Sequence, residues 1–570
     1  MAIYAFFLYN THTNMSKGDS VLEPEYLNIL KNKYFLRPDA KNKSQVYKLV
    51  RDAIESVTRH QGNSSVYPIC AEVLSPSAMA ASSEIPHKLE KDPSNFLAGL
   101  YCMMAGSVKA GHPYMVKNLI PTPSLPALAT YLAVSLYMGN AVTGEDAGYA
   151  LLSEIACASA ISKLAGLDPT RAAGVFTFGG TSTNLYGMKM GLIKVLPEHG
   201  NTGLGNEKIA IIESYPAHYS HQTGVYWMGI GINNSFRVPS LPDQTTDLVK
   251  LEKTCEEVIG NGYKIACINA VGGTTSNLGI DDMEEISRIR ERIIKKFNLD
   301  YTPHLHMDAV LGWAYLNFVD YDFDSNPMSF STAALNQIKK ILTRIKTIKY
   351  ADSFGVDFHK TGYVAYTSSM VIVNDKADLE RLQREVSIMT PLFHDDEAYN
   401  PGKFTLETSR STANILATWV ALQTFGKEGY QALLGHAIEM GLIYRNEIEK
   451  LAKDGLYVAN QNQYGPDVFV RCYPPGEDPA ENYEKEMSDN ILLKKNSDYT
   501  SKFFKWLNAK TPYAEEGFAV SKSSAAIYTP TGQPVIALRI YPLSPYITEK
   551  TARILVTRLR MYKQEFDRTI

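Results

Sequence analysis

The sequence predicts an α/β protein built around a mostly parallel β-sheet, and three observations lead to this prediction. From residue 174 onward, short apolar runs of strand length follow one another at 174–178, 209–213, 265–271 and 305–310. Helical patterns separate these runs, and the clearest of them is amphipathic over 283–297. Apolar residues make up 45% of the chain, which is enough for a large core. Apolar strands separated by helices are typical of parallel sheets covered on both faces.

The 570 residues divide into three predicted regions. Residues 1–110 form a helical N-terminal segment without a nucleotide or metal motif. Residues 111–410 form a large domain that contains the alternating strands, preceded by helices predicted at 127–138 and 145–167. Residues 411–570 form a smaller C-terminal α+β domain, for which the patterns predict two long helices within 413–450, strands at 468–473 and 535–541, and a final helix at 548–563.

One long segment of the large domain, 386–407, shows no periodic pattern and is rich in proline, glycine and aspartate. Irregular segments of this length inside compact proteins are usually functional loops. We therefore predict that residues 387–407 form a lid over a binding site.

Composition excludes several classes of protein. The 57 Lys and Arg and 60 Asp and Glu give a net charge of −3, so no electrostatic footprint for nucleic acid or an anionic membrane is present. The six cysteines are scattered without a CxxC pair, which favours reduced thiols and a cytoplasmic location. The apolar start of the chain lacks the basic segment of a signal peptide, and three prolines interrupt the apolar stretch 119–138. We therefore expect a protein without a membrane span.

Four short blocks carry side chains suited to chemistry. Gly179–Asn184 reads Gly-Gly-Thr-Ser-Thr-Asn where a strand gives way to a helix, which favours a bound phosphate, although an ordinary capped turn has the same pattern. Asp308 lies near the end of a buried strand, so it needs a cationic or hydrogen-bonding partner. The other two blocks are Ala217-His-Tyr-Ser-His221 and Asp352–Lys360, which ends in Asp-Phe-His-Lys.

Taken together and in order, these blocks resemble the group II pyridoxal-phosphate decarboxylases, which include aromatic amino acid, tyrosine, glutamate and sulfinoalanine decarboxylases. The resemblance runs from about His112 to the C-terminus and includes Pro-Thr-Pro-Ser-Leu-Pro at 121–126 and Glu154. It implies the fold-type I transferase architecture, with the cofactor in the large domain. It also implies pyridoxal 5'-phosphate as cofactor, an L-amino acid as substrate, and a homodimer with its site at the subunit interface.

The resemblance assigns roles only at matched positions. Lys360 would form the Schiff base with the cofactor, Asp308 would pair with the pyridinium nitrogen, and His218 would stack on the ring. The phosphate would be held by the glycine block with help from a serine upstream of the lysine, that is, by Gly180, Thr181, Ser182 and Ser353. Further residues expected beside the cofactor or substrate are Thr275 (or its neighbour Thr274), Val310, Asp357 and His359.

The catalytic cycle adds requirements of its own. Lys360 must be neutral part of the time, which a buried, cation-rich site would favour. Relatives return a proton to the substrate carbon through a tyrosine, and the sequence offers two candidates. Tyr366 follows the lysine by six residues and resembles a site position of the bacterial tyrosine decarboxylases, which favours an aromatic substrate, whereas Tyr399 lies in the predicted lid. Arg410, in a segment similar to the family's Gly-Ser-Arg, is expected to help position the substrate.

Three different functions remain open at this point. Alternation along one strand places His304, His306 and Asp308 on one face, and His218 and His221 add two imidazoles, which together would suit a metallohydrolase. That hypothesis explains neither the glycine block nor the His-Lys block, so no metal is expected. A carbon–carbon lyase of the related phosphate-aldehyde branch is the second, and a pseudoenzyme that keeps the fold is the third.

Overall fold

The computed structural model describes residues 24–59, 65–67, 75–90, 92–97, 99–384, 399–462 and 464–569. The chain divides into two compact units, Met1–Lys109 with Asn508–Ala519, and Ala110–Leu507 with Val520–Ile570. Both β-sheets belong to the second unit. The division at residues 110 and 410 into three regions stays a prediction.

Helices account for more of the described chain than strands do. The α-helices span Pro24–Lys33, Lys43–Thr58, Pro76–Ser82, Ser94–Leu97, Leu100–Met103, Leu125–Val134, Gly144–Ala147, Leu152–Leu164, Gly180–Val195, His199–Thr202, Ser220–Trp227, Leu248–Gly260, Met283–Phe297, Thr332–Ile345, Ala377–Glu380, Thr412–Glu449, Pro479–Glu486, Asn490–Lys510 and Glu549–Asp567. Short 3₁₀ turns lie at Ser135–Tyr137, Gly148–Leu151, Ile232–Asn234, Gly312–Phe318, Lys346–Tyr350, Pro401–Lys403 and Ala452–Asp454.

The larger sheet has seven strands, which are β1 (Ala173–Thr177), β2 (Ile209–Ser214), β3 (Ser235–Val238), β4 (Lys264–Val271), β5 (His304–Asp308), β6 (Ser353–Asp357) and β7 (Ser369–Val373). Their order across the sheet is β1-β7-β6-β5-β4-β2-β3. The run from β6 to β3 is parallel throughout, whereas β7 pairs antiparallel with both β6 and β1. The predicted mostly parallel sheet is confirmed.

The smaller sheet contains β8 (Leu456–Val458), β9 (Val468–Cys472), β10 (Ser521–Tyr528) and β11 (Pro534–Ile540). Its order is β10-β11-β9-β8, and every neighbouring pair is antiparallel. Two of these strands lie within a residue of the ends that the sequence predicts, 468–473 and 535–541. The α+β character predicted for this part of the chain is therefore present.

The helix Met283–Phe297 shows how local sequence forms the layers on the sheet. Asp282 caps its first turn by accepting from the backbone N–H of Glu285, and acidic residues in the first turn and basic ones in the last complement the helix dipole. Its buried side chains recur every three or four residues, at Met283, Ile286, Ile289 and Ile293. The helix begins and ends where the sequence predicts.

The long helix Thr412–Glu449 also agrees with the sequence, which predicts two helices in this stretch. Gly426 has φ 55° and ψ −171°, which interrupts the helical backbone. A left-handed φ is readily adopted by glycine, so the break coincides with a residue that tolerates it at low cost.

The strand directions gather several chain segments at one edge of the larger sheet. Strands β2, β4, β5 and β6 are parallel, so their carboxyl ends meet at this edge. β1 runs in the same direction because two antiparallel pairings separate it from β6. The helix Gly180–Val195, which follows β1, therefore begins at the same edge. Across the described ranges, no helix combines the length and apolarity needed to cross a bilayer.

Candidate active site

A cavity of about 330 Å³ opens at the edge where the parallel strands end. Its wall comes from the start of the helix after β1, the segment after β2, and the carboxyl ends of β4, β5 and β6 with the turns that follow them. The lining residues are Gly179, Gly180, Thr181, Asn184, His218, Tyr219, Ser220, Val271, Gly273, Thr274, Thr275, Asp308, Val310, Asp357, His359, Lys360, Tyr366 and Thr367.

Ten of the thirteen residues predicted to be catalytic or to bind the cofactor lie in this wall. They come from five separate segments of the chain and are Gly180, Thr181, His218, Thr275, Asp308, Val310, Asp357, His359, Lys360 and Tyr366. The other three, Ser182, Ser353 and Tyr399, are not among the lining residues. The fold thus brings together segments that are up to 186 positions apart in the chain, from 180 to 366.

Lys360 lies in the turn after β6 and forms a close ion pair. Its Nζ is 2.8 Å from Oδ2 of Asp357, three residues earlier, and Oδ1 of Asp357 accepts a hydrogen bond of 2.5 Å from Ser369. Burial alone would lower the pKa of Lys360, but the carboxylate of Asp357 raises it above its ordinary value. The prediction of a cation-rich surrounding is therefore wrong, because the charges facing the amine are carboxylates.

Asp308 ends β5 and is held through one of its two carboxylate oxygens. Oδ2 accepts a hydrogen bond of 2.9 Å from Asn184 and lies 3.5 Å from Nε2 of His221. Burial would raise the pKa of Asp308, but His221 lowers it well below its ordinary value. Oδ1 is buried and has no hydrogen-bond partner among the described residues. An ionised carboxylate in the cavity wall therefore keeps one oxygen without a partner.

His221 is itself enclosed between two carboxylates. Its Nδ1 lies 3.3 Å from Oε2 of Glu213, the penultimate residue of β2, and its imidazole is fully buried. Burial would lower the pKa of His221, yet Asp308 and Glu213 raise it to about 9. Glu213 is in turn held by a hydrogen bond of 2.8 Å from Ser235 on β3.

The imidazole of His218 borders the cavity from the segment after β2. Its Nδ1 accepts from the backbone N–H of Ser220 at 3.2 Å and lies 2.8 Å from the hydroxyl of the same residue, which places the ring proton on Nε2. Burial lowers the pKa of His218, so the ring is neutral. Asn184 donates to the same serine at 3.0 Å and thereby links His218 to Asp308.

A row of hydrogen bonds follows β5 from its first residue, His304, to its last, Asp308. In order it runs through Lys194, His304, Ser353, His306, Asn184 and Asp308, with distances of 2.9, 2.8, 2.8, 3.1 and 2.9 Å. Burial lowers the pKa of His306 to about 3 and that of His304 well below its ordinary value, so both imidazoles are neutral. Because Lys194 can only donate, every hydrogen bond in this polar row points towards Asp308.

His359 and Tyr366 form an aromatic pair in the wall. Their ring centroids are 4.4 Å apart, and Nδ1 of His359 donates to the carbonyl oxygen of Ser368 at 2.8 Å. Tyr366 is half exposed, at 50%, so its ring faces open space on one side. Burial raises the pKa of Tyr366, which keeps its hydroxyl protonated at neutral pH.

At the glycine block, Gly179–Asn184, the backbone comes close to the other residues of the cavity wall. Gly179 has φ 117° and precedes the first turn of the helix Gly180–Val195. A Cβ on Gly180 would lie 2.8 Å from Oδ2 of Asp357 and 3.1 Å from Cγ1 of Val310, so any side chain here would fill the cavity. An exposed helix N-terminus without a side chain in front of it favours an anionic group.

Two serines predicted to hold phosphate lie elsewhere. The hydroxyl of Ser182 donates to the carbonyl oxygen of Gly179 at 2.5 Å, so it bonds within its own helix turn. Ser353 begins β6, and the beginning of a parallel strand is at the opposite sheet edge from the cavity. Its hydroxyl is occupied between His304 and His306. Neither Ser182 nor Ser353 is therefore retained as a phosphate ligand.

Tyr399 and Arg410 meet at a buried carboxylate and not at the cavity. The guanidinium of Arg410 pairs with Glu154 and donates to the carbonyl oxygens of Ala141 and Phe176, at 2.7 and 3.2 Å. The hydroxyl of Tyr399 lies 3.4 Å from the other oxygen of Glu154. The expectation that Arg410 positions substrate is corrected, because its donors are used within the fold. Residues 387–398, the larger part of the lid predicted at 387–407, lie outside the described residues.

The histidines that the metallohydrolase hypothesis would use as metal ligands are engaged in other contacts. His304 and His306 use their ring nitrogens within the polar row, and His221 lies between two carboxylates. In the part of the chain that the structure describes, no cluster of three or more His, Cys, Asp or Glu is arranged to hold a metal ion.

Sequence reasoning missed three residues that hold Asp308 in place. The glycine block suggests only a phosphate role for Asn184, and the histidine pattern suggests only a metal role for His221. Glu213 escapes notice, although it is a carboxylate near the end of an apolar strand, the same feature that singles out Asp308. Their shared role depends on which strands are neighbours, and the pattern along the chain does not contain that information.

A family model described as "Pyridoxal-dependent decarboxylase conserved domain" matches residues 78–319 and 333–469, more than half of the chain. The chain belongs to the pyridoxal-dependent decarboxylase family. It is 22% identical over 469 residues to L-2,4-diaminobutyrate decarboxylase of Acinetobacter baumannii, an alignment that spans 80% of each chain. It is 27% identical over 252 residues to L-tyrosine decarboxylase of Enterococcus faecium, where the alignment spans 41% of this chain and 40% of the relative.

Solved structures agree on the fold of this decarboxylase family member. The apo form of mouse CSAD superposes with a TM-score of 0.73 at 19% identity, covering 92% of this chain and 100% of that one. The Oryza sativa TDC solved with PLP and tryptamine gives a TM-score of 0.73 at 14% identity, covering 93% and 99%. The predicted fold-type I architecture is confirmed, and the enzyme is a pyridoxal-phosphate-dependent carboxy-lyase.

The residues of the cavity fit pyridoxal phosphate. The amine of Lys360 faces the cavity, and the unpaired Oδ1 of Asp308 offers an acceptor for a protonated ring nitrogen. The open helix start at Gly180 and Thr181 suits the phosphate, and the neutral imidazole of His218 suits the ring face. The predicted cofactor is thus matched by the chemistry of these donors and acceptors.

Proposed function

We propose that this enzyme decarboxylates an L-amino acid with an aromatic side chain, such as tyrosine. The observation that carries the proposal is the character of the cavity wall. Among the described lining residues Lys360 is the only lysine or arginine, and Asp357 already pairs with it. A substrate with a distal carboxylate would therefore have no cation to meet, whereas the rings of Tyr219 and Tyr366 offer aromatic faces.

The lining residues divide the work of the reaction. The bound cofactor supplies a ring that accepts the electron pair left by the departing carbon dioxide. Lys360 anchors the cofactor and the anionic Oδ1 of Asp308 holds a proton on its ring nitrogen. His218 supports the ring face. We assign the return of a proton to the substrate carbon to the hydroxyl of Tyr366, which lies in the wall and is protonated, in preference to Tyr399, whose hydroxyl meets Glu154.

The assembly and the location of the enzyme are part of the same proposal. We infer a cytoplasmic homodimer. Large apolar side chains are strongly exposed along one stretch of the chain, at Leu125, Tyr137, Met138 and Tyr149, and a second copy would cover such a surface. The described cysteines are buried free thiols, which is typical of a reducing compartment. Light scattering on the purified holoenzyme measures the mass, and a monomer of 63.4 kDa would contradict the dimer.

The substrate proposal is tested by a panel of amino acids. The protein is loaded with pyridoxal phosphate and incubated with tyrosine, tryptophan, phenylalanine, glutamate, aspartate and 2,4-diaminobutyrate, and the released amine is quantified. We expect kcat/KM for one aromatic substrate to exceed that for every acidic or basic one by at least about tenfold, the effect of about 1.4 kcal/mol in binding the transition state. Preference for glutamate or diaminobutyrate would contradict the proposal. Lys360→Ala is the matched control and should release no amine from any substrate.

A further inference from the structure

Glu213, His221 and Asp308 form a buried charge cluster that no step described above uses in full. Glu213 comes from the end of β2 and Asp308 from the end of β5, and β4 separates these two strands. Neighbouring strands lie about 4.8 Å apart, so the two carboxylates originate on backbones roughly 10 Å apart. His221, from the helix Ser220–Trp227, spans the gap with one ring nitrogen near each carboxylate, at 3.3 and 3.5 Å.

The geometry determines the charge of the imidazole. A neutral histidine has one N–H and one lone pair, so one of its nitrogens would turn a lone pair towards a carboxylate. Only the imidazolium has a proton for each neighbour. The cluster is therefore a cation between two anions, which compensates two carboxylates that burial would otherwise penalise.

The contacts on Asp308 are all on one oxygen. His221 and Asn184 both approach Oδ2, from the β2 side and from the helix Gly180–Val195. The carboxylate cannot rotate without losing both contacts. Oδ1 is thereby fixed as the oxygen that remains for a partner in the cavity.

We propose that His221, backed by Glu213, is a positioning residue that holds Asp308 ionised and turned with Oδ1 towards the cofactor's ring nitrogen. The inference rests on the cofactor role assigned to Asp308. It concerns residues behind the cavity wall, since neither Glu213 nor His221 lines it.

The test measures cofactor binding and spectrum as well as turnover. His221→Gln keeps a hydrogen-bonding side chain but removes the cation. Because this removes the cation that lies 3.5 Å from Oδ2 of Asp308, we expect the dissociation constant for pyridoxal phosphate to rise by about tenfold or more. The visible absorbance of the bound cofactor should also shift, since it reports the protonation of the ring. His199→Gln, another histidine of low exposure that contacts Lys189 outside the site, should leave both properties unchanged.

A double-variant cycle separates a positioning role from a structural one. If His221 acts through Asp308, H221Q/D308N should bind the cofactor no more weakly than D308N alone. Additive losses, or wild-type affinity and spectrum in a folded H221Q, would overturn the proposal. If H221Q does not fold, E213L/H221L replaces the buried pair with apolar side chains and decides the question, with wild-type affinity and spectrum overturning the proposal. A D308N enzyme indistinguishable from wild type would instead refute the cofactor role of Asp308 itself.

Discussion

Replacing Arg410 by methionine tests whether this residue belongs to the fold or to the substrate. Its guanidinium pairs with Glu154 and donates to two backbone carbonyl oxygens, and Glu154 also accepts from the N–H of Phe176 at 2.7 Å. These contacts tie the helix Leu152–Leu164 and the end of β1 to the start of the long helix, which Ser411 caps immediately afterwards. Methionine fills similar space but leaves the carboxylate of Glu154 buried without its cation.

The size of the effect follows from the burial of the pair. Removing one partner of a buried ion pair costs about 3–5 kcal/mol, because the remaining charge is uncompensated. The second compact unit contains about 450 residues, and an unfolding entropy of about 2.1 cal/mol/K per residue gives about 0.9 kcal/mol/K for the unit. A loss of about 4 kcal/mol therefore lowers its Tm by about 4 °C.

Differential scanning calorimetry on the holoenzyme measures the change, and steady-state kinetics accompany it. We expect R410M to lose about 4 °C in Tm with an unchanged KM, and R410M/E154M to recover most of the loss because the pair is then absent altogether. R553M is the matched control: Arg553 is half exposed in its ion pairs with Glu447 and Glu549, so its loss should shift Tm by less than about 1 °C. A raised KM in R410M with an unchanged Tm would refute the structural role and would indicate that Arg410 positions the substrate.

Four further predictions concern the site itself. Borohydride reduction of the holoenzyme followed by peptide mapping should place the pyridoxyl label on Lys360, and a label on another lysine would reject that assignment. D308N should still load with excess cofactor but lose at least about tenfold in kcat, because a neutral amide cannot hold the ring proton by charge pairing; near-wild-type turnover would contradict this. Y366F should divert product from amine to aldehyde or transamination products, with Y399F measured beside it; diversion in Y399F alone would move the proton donor to Tyr399. Finally, the pKa of His221 is raised to about 9 in the folded protein. Its contribution to the stability of the folded state is therefore complete at pH values below its ordinary pKa and is lost as the pH rises through 9. Wild-type Tm should fall across that range, and an equal fall in H221Q would count against the assignment.

Features that depend only on the residues of one chain segment could be predicted well from the sequence. The amphipathic helix Met283–Phe297 and the division of the stretch 413–450 into two helices follow from local sequence patterns alone. The lining role of Lys360, Asp308 and His218 follows from short motifs whose order matches a known family. In each case neighbouring residues in the chain carry the whole signal.

Predictions that depend on how segments meet in space were less successful. Ser353 and Asp308 both lie in parallel strands of the same sheet, but Ser353 begins its strand and Asp308 ends one, so they lie at opposite edges. Knowing the strand direction would have removed Ser353 from the phosphate site. The link from Glu213 to Asp308 requires the order β5-β4-β2, in which β2 and β4 are neighbours although β3 lies between them in the chain. Short motifs contain neither kind of information.

The polar row has a consequence for the orientation of the side-chain amide of Asn184, which faces Asp308. Each neutral imidazole in the row can exist as either tautomer, and each hydroxyl and amide can rotate. The hydrogen bonds of the row can therefore all point towards Asp308 or all point away from it. Only the first of these two settings presents the NH₂ of Asn184 to Asp308, and the other would present its oxygen. Lys194, which can only donate, and the carboxylate of Asp308, which can only accept, both require the first, favourable setting. A side chain outside the cavity thus favours the same orientation of the Asn184 amide as the carboxylate in the cavity wall does.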